Sequence, residues 1–174
     1  MRIVAGSCKG ARIYAPKGRD TRPTSDRVRE AAFAILGSVE GANVLDLFAG
    51  SGALGLESLS RGAASAVFVE VDPLAVKAIE RNLDRLGLEG RIVRTDALRF
   101  VAKAPERYDV VFVDPPYEMV ESLRMPLAEH LPRVLAEGGL VVFETSAGVE
   151  PELPLHLRST RRHGSTQLTV FEAR

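Results

Sequence analysis

The chain has 174 residues, as many acidic as basic side chains, 45% hydrophobic residues and a single cysteine, Cys8. That size and apolar content suit one core, hence a single domain over residues 1–174, and a lone cysteine excludes an internal disulfide. No apolar run reaches bilayer-spanning length, the N-terminus lacks a signal-peptide core, and His130, His156 and His163 lie apart without ligand spacing. The expectation is a soluble cytoplasmic protein that uses neither membrane nor metal.

The zero net charge conceals an asymmetry. Residues 1–29 hold eight basic side chains, from Arg2 to Arg29, against Asp20 and Asp26, a net of +6, so the remainder carries −6. A basic arm on an acidic body fits an element that binds a polyanion, joined to some other function. In chain order, "MRIVA", "GSCKG" and "ARIYAP" read as a β-hairpin around a glycine-rich turn, so residues 1–22 form the basic arm. In "PTSDRVREAAFAIL", Thr24, Ser25 or Asp26 can cap a helix whose apolar residues Val28, Ala31, Ala32, Ile35 and Leu36 recur at helical spacing before Gly37.

Strand and helix then alternate. Strands are predicted at 43–48, 65–71, 91–95, 108–113 and 139–145, and helices at 53–62, 73–87, from Ala97 to about Lys103, and from about Val120 to Leu135. Repeated βα units predict a Rossmann-like α/β fold with a mostly parallel, doubly wound sheet. After residue 145 the rhythm changes. Two alternating stretches flank a turn near His163-Gly164, with no room for a crossover helix, so the sheet should end in an antiparallel hairpin.

Two motifs carry chemistry. "VLDLFAGSGALG" sets Gly50, Gly52 and Gly55 in G-x-G-x-x-G spacing between a strand and a helix, a turn that lets backbone approach a ligand closely. Asp46, inside that apolar strand, would repel a pyrophosphate and suits a cationic ligand. Glu70 ends the second strand, where an acid would meet ribose hydroxyls. Asp72 reads as the cap of the next helix. Asp96 follows the third strand, either accepting from an adenine amine or capping its own helix. With Asp114, four strand ends carry acids, and ligands of open α/β sheets bind along that edge. The set fits S-adenosylmethionine, whose sulfonium and ammonium are cations and which has no phosphate to cradle.

The second motif is "VVFVDPPYEM" (110–119). Prolines cannot donate to a sheet ladder, so Pro115 and Pro116 stop the strand and stiffen the backbone beyond it. An exocyclic amine on a nucleobase is a poor nucleophile because its lone pair is delocalised into the ring. The Asp114 carboxylate and the Pro115 carbonyl would each accept one N–H, freeing the lone pair to face a sulfonium methyl, while Tyr117 stacks on a base taken out of its helix.

The two motifs together with "VFVEVD", "RIVAGSCKGARI" and "RPTSDRVREAAF" resemble, over essentially the full length, the bacterial 16S rRNA (guanine(966)-N2)-methyltransferases, the RsmD family of class I S-adenosylmethionine-dependent enzymes. That resemblance implies methyl transfer to the N2 amine of one guanine in 16S rRNA within a small-subunit assembly intermediate; a monomer is expected. It implies cofactor contacts at Asp46, Phe48, Gly50, Gly52, Glu70, Asp96 and Ala97, and target-base contacts at Asp114, Pro115, Pro116 and Tyr117. RNA would be held by Arg2, Lys9 and Arg12, with Lys17, Arg22, Thr24 and Arg27 beside them; Thr24, Asp26 and Arg27 either close over the site or serve as cap and surface ion pair. Arg158, Arg161, Arg162 and His163 make a second basic turn, ranked below the first. Rival readings are a DNA adenine-N6 methyltransferase, for which the chain lacks a target-recognition region, an NAD-binding oxidoreductase, and a non-catalytic RNA-binding module.

Overall fold

A computed structural model describes residues 1–15 and 25–174. Its framework is a seven-stranded sheet in the order β3-β2-β1-β4-β5-β7-β6. The strands are β1 (Asn43–Asp46), β2 (Ser65–Glu70), β3 (Arg91–Arg94), β4 (Tyr108–Val113), β5 (Leu135–Ser146), β6 (His156–His163) and β7 (Thr166–Glu172). The first five pair in parallel, and β7 runs antiparallel to both β5 and β6. The doubly wound sheet closed by an antiparallel hairpin is the expected one.

Alternation along the strands sorts the core into two layers. Val44, Phe68, Val110, Phe112 and Val142 pack with α1 (Asp26–Leu36), α2 (Ala53–Ser60) and α3 (Pro73–Leu86). Leu45, Val69, Val111, Val113 and Phe143 pack with α4 (Ala97–Lys103) and α5 (Val120–Val134) on the other face. Strand residues buried on both sides read as continuous apolar runs, which is why β4 and β5 stand out in the sequence. Ser25 caps α1 by accepting from the Val28 N–H, and Asp72 caps α3 by accepting from Leu74.

The N-terminal arm departs from a regular hairpin. It has one antiparallel bridge, Arg2 with Arg12, supported by bonds from Ile3 N–H to the Ala11 carbonyl and Ile13 N–H to that of Met1. Several of its other donors go to the body. Val4 and Ala5 N–H bind the two oxygens of Glu57 at 2.8 and 2.9 Å, Ser7 N–H binds the Ser60 carbonyl, and Cys8 N–H binds the Ser60 hydroxyl. Gly6 makes this fit possible: at φ 86°, an added Cβ would lie 1.8 Å from the Ser60 carbonyl oxygen. Glu57 is wholly buried, held also by Arg61 at 2.8 Å and Arg29 at 3.9 Å. Arg29 in turn donates to Asp26 and to the Arg2 carbonyl. Ile3 and Ile13 are buried beneath, leaving Arg2, Lys9 and Arg12 exposed.

Candidate active site

The strand order reverses between β1 and β4, so the helices leaving those two strands depart to opposite faces and open a crevice at their carboxyl ends. Asp46 is the last residue of β1. It pairs in register with Phe68 on one side and Phe112 on the other, so Glu70 and Asp114 each lie two positions beyond its neighbours and flank it at the rim.

Asp46 is 1% exposed. Its Oδ2 accepts from the Gly55 N–H at 3.1 Å, while Oδ1 is buried with no hydrogen-bond partner. Burial pushes its carboxyl up to about 7; the Gly55 bond opposes that rise, and the charges of Asp114 and Glu70 add to it. Three acids within electrostatic reach, one of them desolvated, make a place where an incoming cation is stabilised.

The glycine loop sits directly over these acids. Leu47 N–H binds the Phe112 carbonyl and Ala49 N–H that of Val69, so the loop is laced to both neighbouring strands. Gly50 and Gly52 have φ of 54° and 80°, and a Cβ at Gly50 would meet nothing within 4 Å, which leaves an open cradle. At Gly55, by contrast, a Cβ would fall 2.3 Å from the Phe68 ring, so that glycine serves the packing of α2 on β2. Glu70 accepts from Gly50 N–H through one oxygen and from Val71 and Asp72 N–H through the other, all at 2.8 Å. This pins its carboxylate against the loop. These features fit S-adenosylmethionine: backbone left bare by glycine at Gly50, beside a cluster of acids that favours a cation.

The remaining expected residues divide. Phe48 is half-buried against the second core layer and Ala97 is buried as the first residue of α4. Asp96 caps α4 by accepting from Arg99 N–H at 2.9 Å. Pro115 is buried and Pro116 exposed, and Tyr117, 37% exposed, opens a short 3-10 turn with its hydroxyl 3.3 Å from Thr166 Oγ1. Asp26 faces the arm: despite partial burial, the Arg2 N–H and the Arg29 guanidinium hold its carboxyl below the usual range. Arg27 lines a cleft at the N-terminal end of α1. Lys17, Arg22 and Thr24 lie outside the described residues.

Sequence reasoning misses two things. Glu144, buried within β5, reads as part of a strand, although it terminates an apolar run just as Asp114 does after β4. The β6–β7 turn has no location in the sequence that would raise its rank; in the structure Arg162 and His163 line the same cleft as Arg27 and Glu144.

A family model described as "Conserved hypothetical protein 95" matches residues 1–172. Small-subunit rRNA methyltransferase D of Escherichia coli K12 is 39% identical over 155 residues, covering 88% of this chain and 75% of its own. The chain belongs to this methyltransferase D family. YlbH of Bacillus subtilis, named as a candidate rRNA methyltransferase, is 37% identical with both chains fully covered. Among solved structures, a Thermus thermophilus protein superposes with a TM-score of 0.87 at 35% identity, covering 99% of each chain. The structure of yhhF of Escherichia coli, described as a candidate methyltransferase, superposes with a TM-score of 0.84 at 32% identity, covering 99% of this chain and 97% of that one, and the fold is that of class I methyltransferases. Among the described residues no helix is long and apolar enough to cross a membrane.

Proposed function

We propose that the chain transfers a methyl group from S-adenosylmethionine to the exocyclic N2 amine of a guanine in small-subunit rRNA, guanine 966 by the resemblance of its motifs. The observation that carries this reading is the adjacency of Asp46, under the glycine loop, and Asp114, heading Asp-Pro-Pro-Tyr, across one pair of strands. The bound cofactor supplies an electrophilic methyl on a sulfonium. Everything else is done by the chain.

The Gly50–Gly52 backbone and the Glu70 carboxylate hold the nucleoside half. Asp46 lowers the energy of positive charge in a site where burial strengthens the attraction. Asp114 and the Pro115 carbonyl each accept one amine N–H, turning the nitrogen lone pair out of conjugation and towards the methyl; as the N–C bond forms the S–C bond breaks, leaving a neutral thioether, and the surplus amine proton departs by way of Asp114 to solvent. Because Pro115 and Pro116 restrict the backbone, those acceptors are in place before the base arrives. Each ~1.4 kcal/mol removed from the barrier in this way is worth a factor of ten in rate. Tyr117 offers a stacking face worth ~1–3 kcal/mol per base. The exposed Arg2, Lys9 and Arg12 of the arm bind the RNA backbone, and the substrate is a small-subunit assembly intermediate taken by a monomer. A dinucleotide would bring its pyrophosphate against three carboxylates, which argues against the oxidoreductase alternative.

The test is incubation with unmodified small subunits and methyl-labelled S-adenosylmethionine, followed by mapping of the labelled nucleotide. Label on a guanine N2 supports the reading, and label confined to adenine N6, or none, overturns it.

A further inference from the structure

Resting on that reading, we infer that the cleft beneath the N-terminus of α1 is the pocket for the target base, and that Glu144 makes it specific for guanine. The last registered pair of β4 and β5 is Val113 with Phe143, so Asp114 and Glu144 are the next residues on two neighbouring parallel strands. Such strands lie ~4.8 Å apart. Phe112 and Val142 belong to the α1 layer of the core, and residues two positions on point to the same face. Glu144, 7% exposed, accordingly lines a cleft of about 290 Å³ together with Ser25 and Val28 of the α1 end. Thr166, on its wall, is the residue that touches the Tyr117 hydroxyl. One wall of the cleft therefore reaches the residue that Tyr117 touches.

Its lining carries both signs: the acid Glu144, next in register to Asp114, and Arg27 and Arg162 with His163. A nucleotide offers the complementary pair, base-edge donors for the acid and a phosphate for the cations.

An ionised carboxylate only accepts hydrogen bonds. Two carboxylates side by side, with Glu144 in its ionised form, would therefore select a base whose exocyclic amine adjoins a ring N–H. Among the four standard bases only guanine has this, N2 beside N1–H. Adenine and cytosine place a bare ring acceptor next to their amine, which Glu144 would repel, and uracil has a ring N–H but no amine. With Asp114 engaged by the amine, Glu144 accepts from N1–H. Glu144 would thus commit the amine-activating motif to one base. Glu144 is a specificity residue and takes no part in moving the methyl.

The experiment compares small subunits carrying guanine with subunits carrying 2-aminopurine at the mapped position, an analogue that keeps the amine but has an acceptor at N1. Wild type should strongly prefer guanine. Glu144→Gln, whose amide can donate to N1, should shift the guanine to 2-aminopurine ratio of kcat/KM by about a hundredfold or more, the size expected when a buried polar contact is mismatched. Cofactor affinity by calorimetry should hold within about twofold, since Glu144 lies off the glycine loop. If Glu144→Gln does not fold, wild type and Glu144→Asp both retain the acceptor and must both reject 2-aminopurine. Equal transfer to the two bases by either protein overturns the inference, as does an unmoved ratio in a folded Glu144→Gln. Those results with guanine still methylated remove this inference alone, whereas no transfer by wild type to any guanine removes the proposed function with it.

Discussion

Asp46→Asn isolates the cost of keeping a carboxylate beneath the glycine loop. Folding raises the Asp46 pKa from 3.8 to about 7, chiefly by burial. An acid so raised binds its proton more tightly in the folded state, so stability falls as pH climbs from the unfolded value towards the folded one and is level above it. The shift of about three units corresponds to ~4 kcal/mol in total, of which roughly 2–3 kcal/mol is lost between about pH 5 and about pH 8. Asparagine keeps the acceptor for the Gly55 N–H but cannot ionise. Its amide would add a buried donor where Oδ1 has no partner, a cost of ~1–3 kcal/mol that is the same at both pH values. The difference of differences is therefore the clean quantity. In urea titrations of the cofactor-free protein, the stability of the variant relative to wild type should rise by roughly 2–3 kcal/mol from about pH 5 to about pH 8. Parallel curves over that range would refute the claim that this carboxyl is charged only at a price.

Because a cationic ligand favours the ionised carboxylate, binding S-adenosylmethionine near neutral pH should release a proton and tighten as pH rises through about 7. Calorimetry in buffers of different ionisation heat reads both, and uptake of a proton would contradict the placement. Asp114→Ala should leave cofactor affinity nearly intact while lowering kcat on the order of 10³-fold, the scale of losing an aligned polar group at a reacting centre; equal loss of both would refute its role. Reversing Arg2, Lys9 and Arg12 to Glu should weaken RNA binding and reduce the slope of log affinity against log salt by ~2–3, measured by filter binding. Gly6→Ala drives a Cβ into the Ser60 carbonyl, so it should lower both Tm and RNA affinity while sparing cofactor binding; an unchanged Tm would mean that the arm is not seated as described.

Periodicity makes the parallel framework legible, because each βα unit carries its own signal: an apolar run, then spaced apolar residues between a cap and a glycine. The acids at the rim are visible for the same reason, as polar residues that interrupt or end such runs. What stays hidden depends on contacts between distant segments. The arm reads as a regular hairpin, yet its N–H groups prefer Glu57 and Ser60 on α2, partners some fifty positions away that no local pattern reveals. Arg29 and Glu57 look like surface charges on two helices and are instead a buried pair. Asp96 reads equally as ligand or cap, and the structure shows the cap bond. Glu144 escapes notice because "GLVVFET" continues as strand beyond it, so nothing marks the residue until the register sets it beside Asp114.

The antiparallel return of β7 has an evolutionary corollary. Since β6 runs alongside β5 in direction, the bend at Arg162–Gly164 arrives at the reactive margin on the end of an outermost ribbon. Lengthening, trimming or replacing that bend would not re-register any inner strand or disturb the nucleoside cradle. A lineage can thus retarget the enzyme to a differently shaped nucleic acid by editing one peripheral loop, leaving the methyl-donor half untouched.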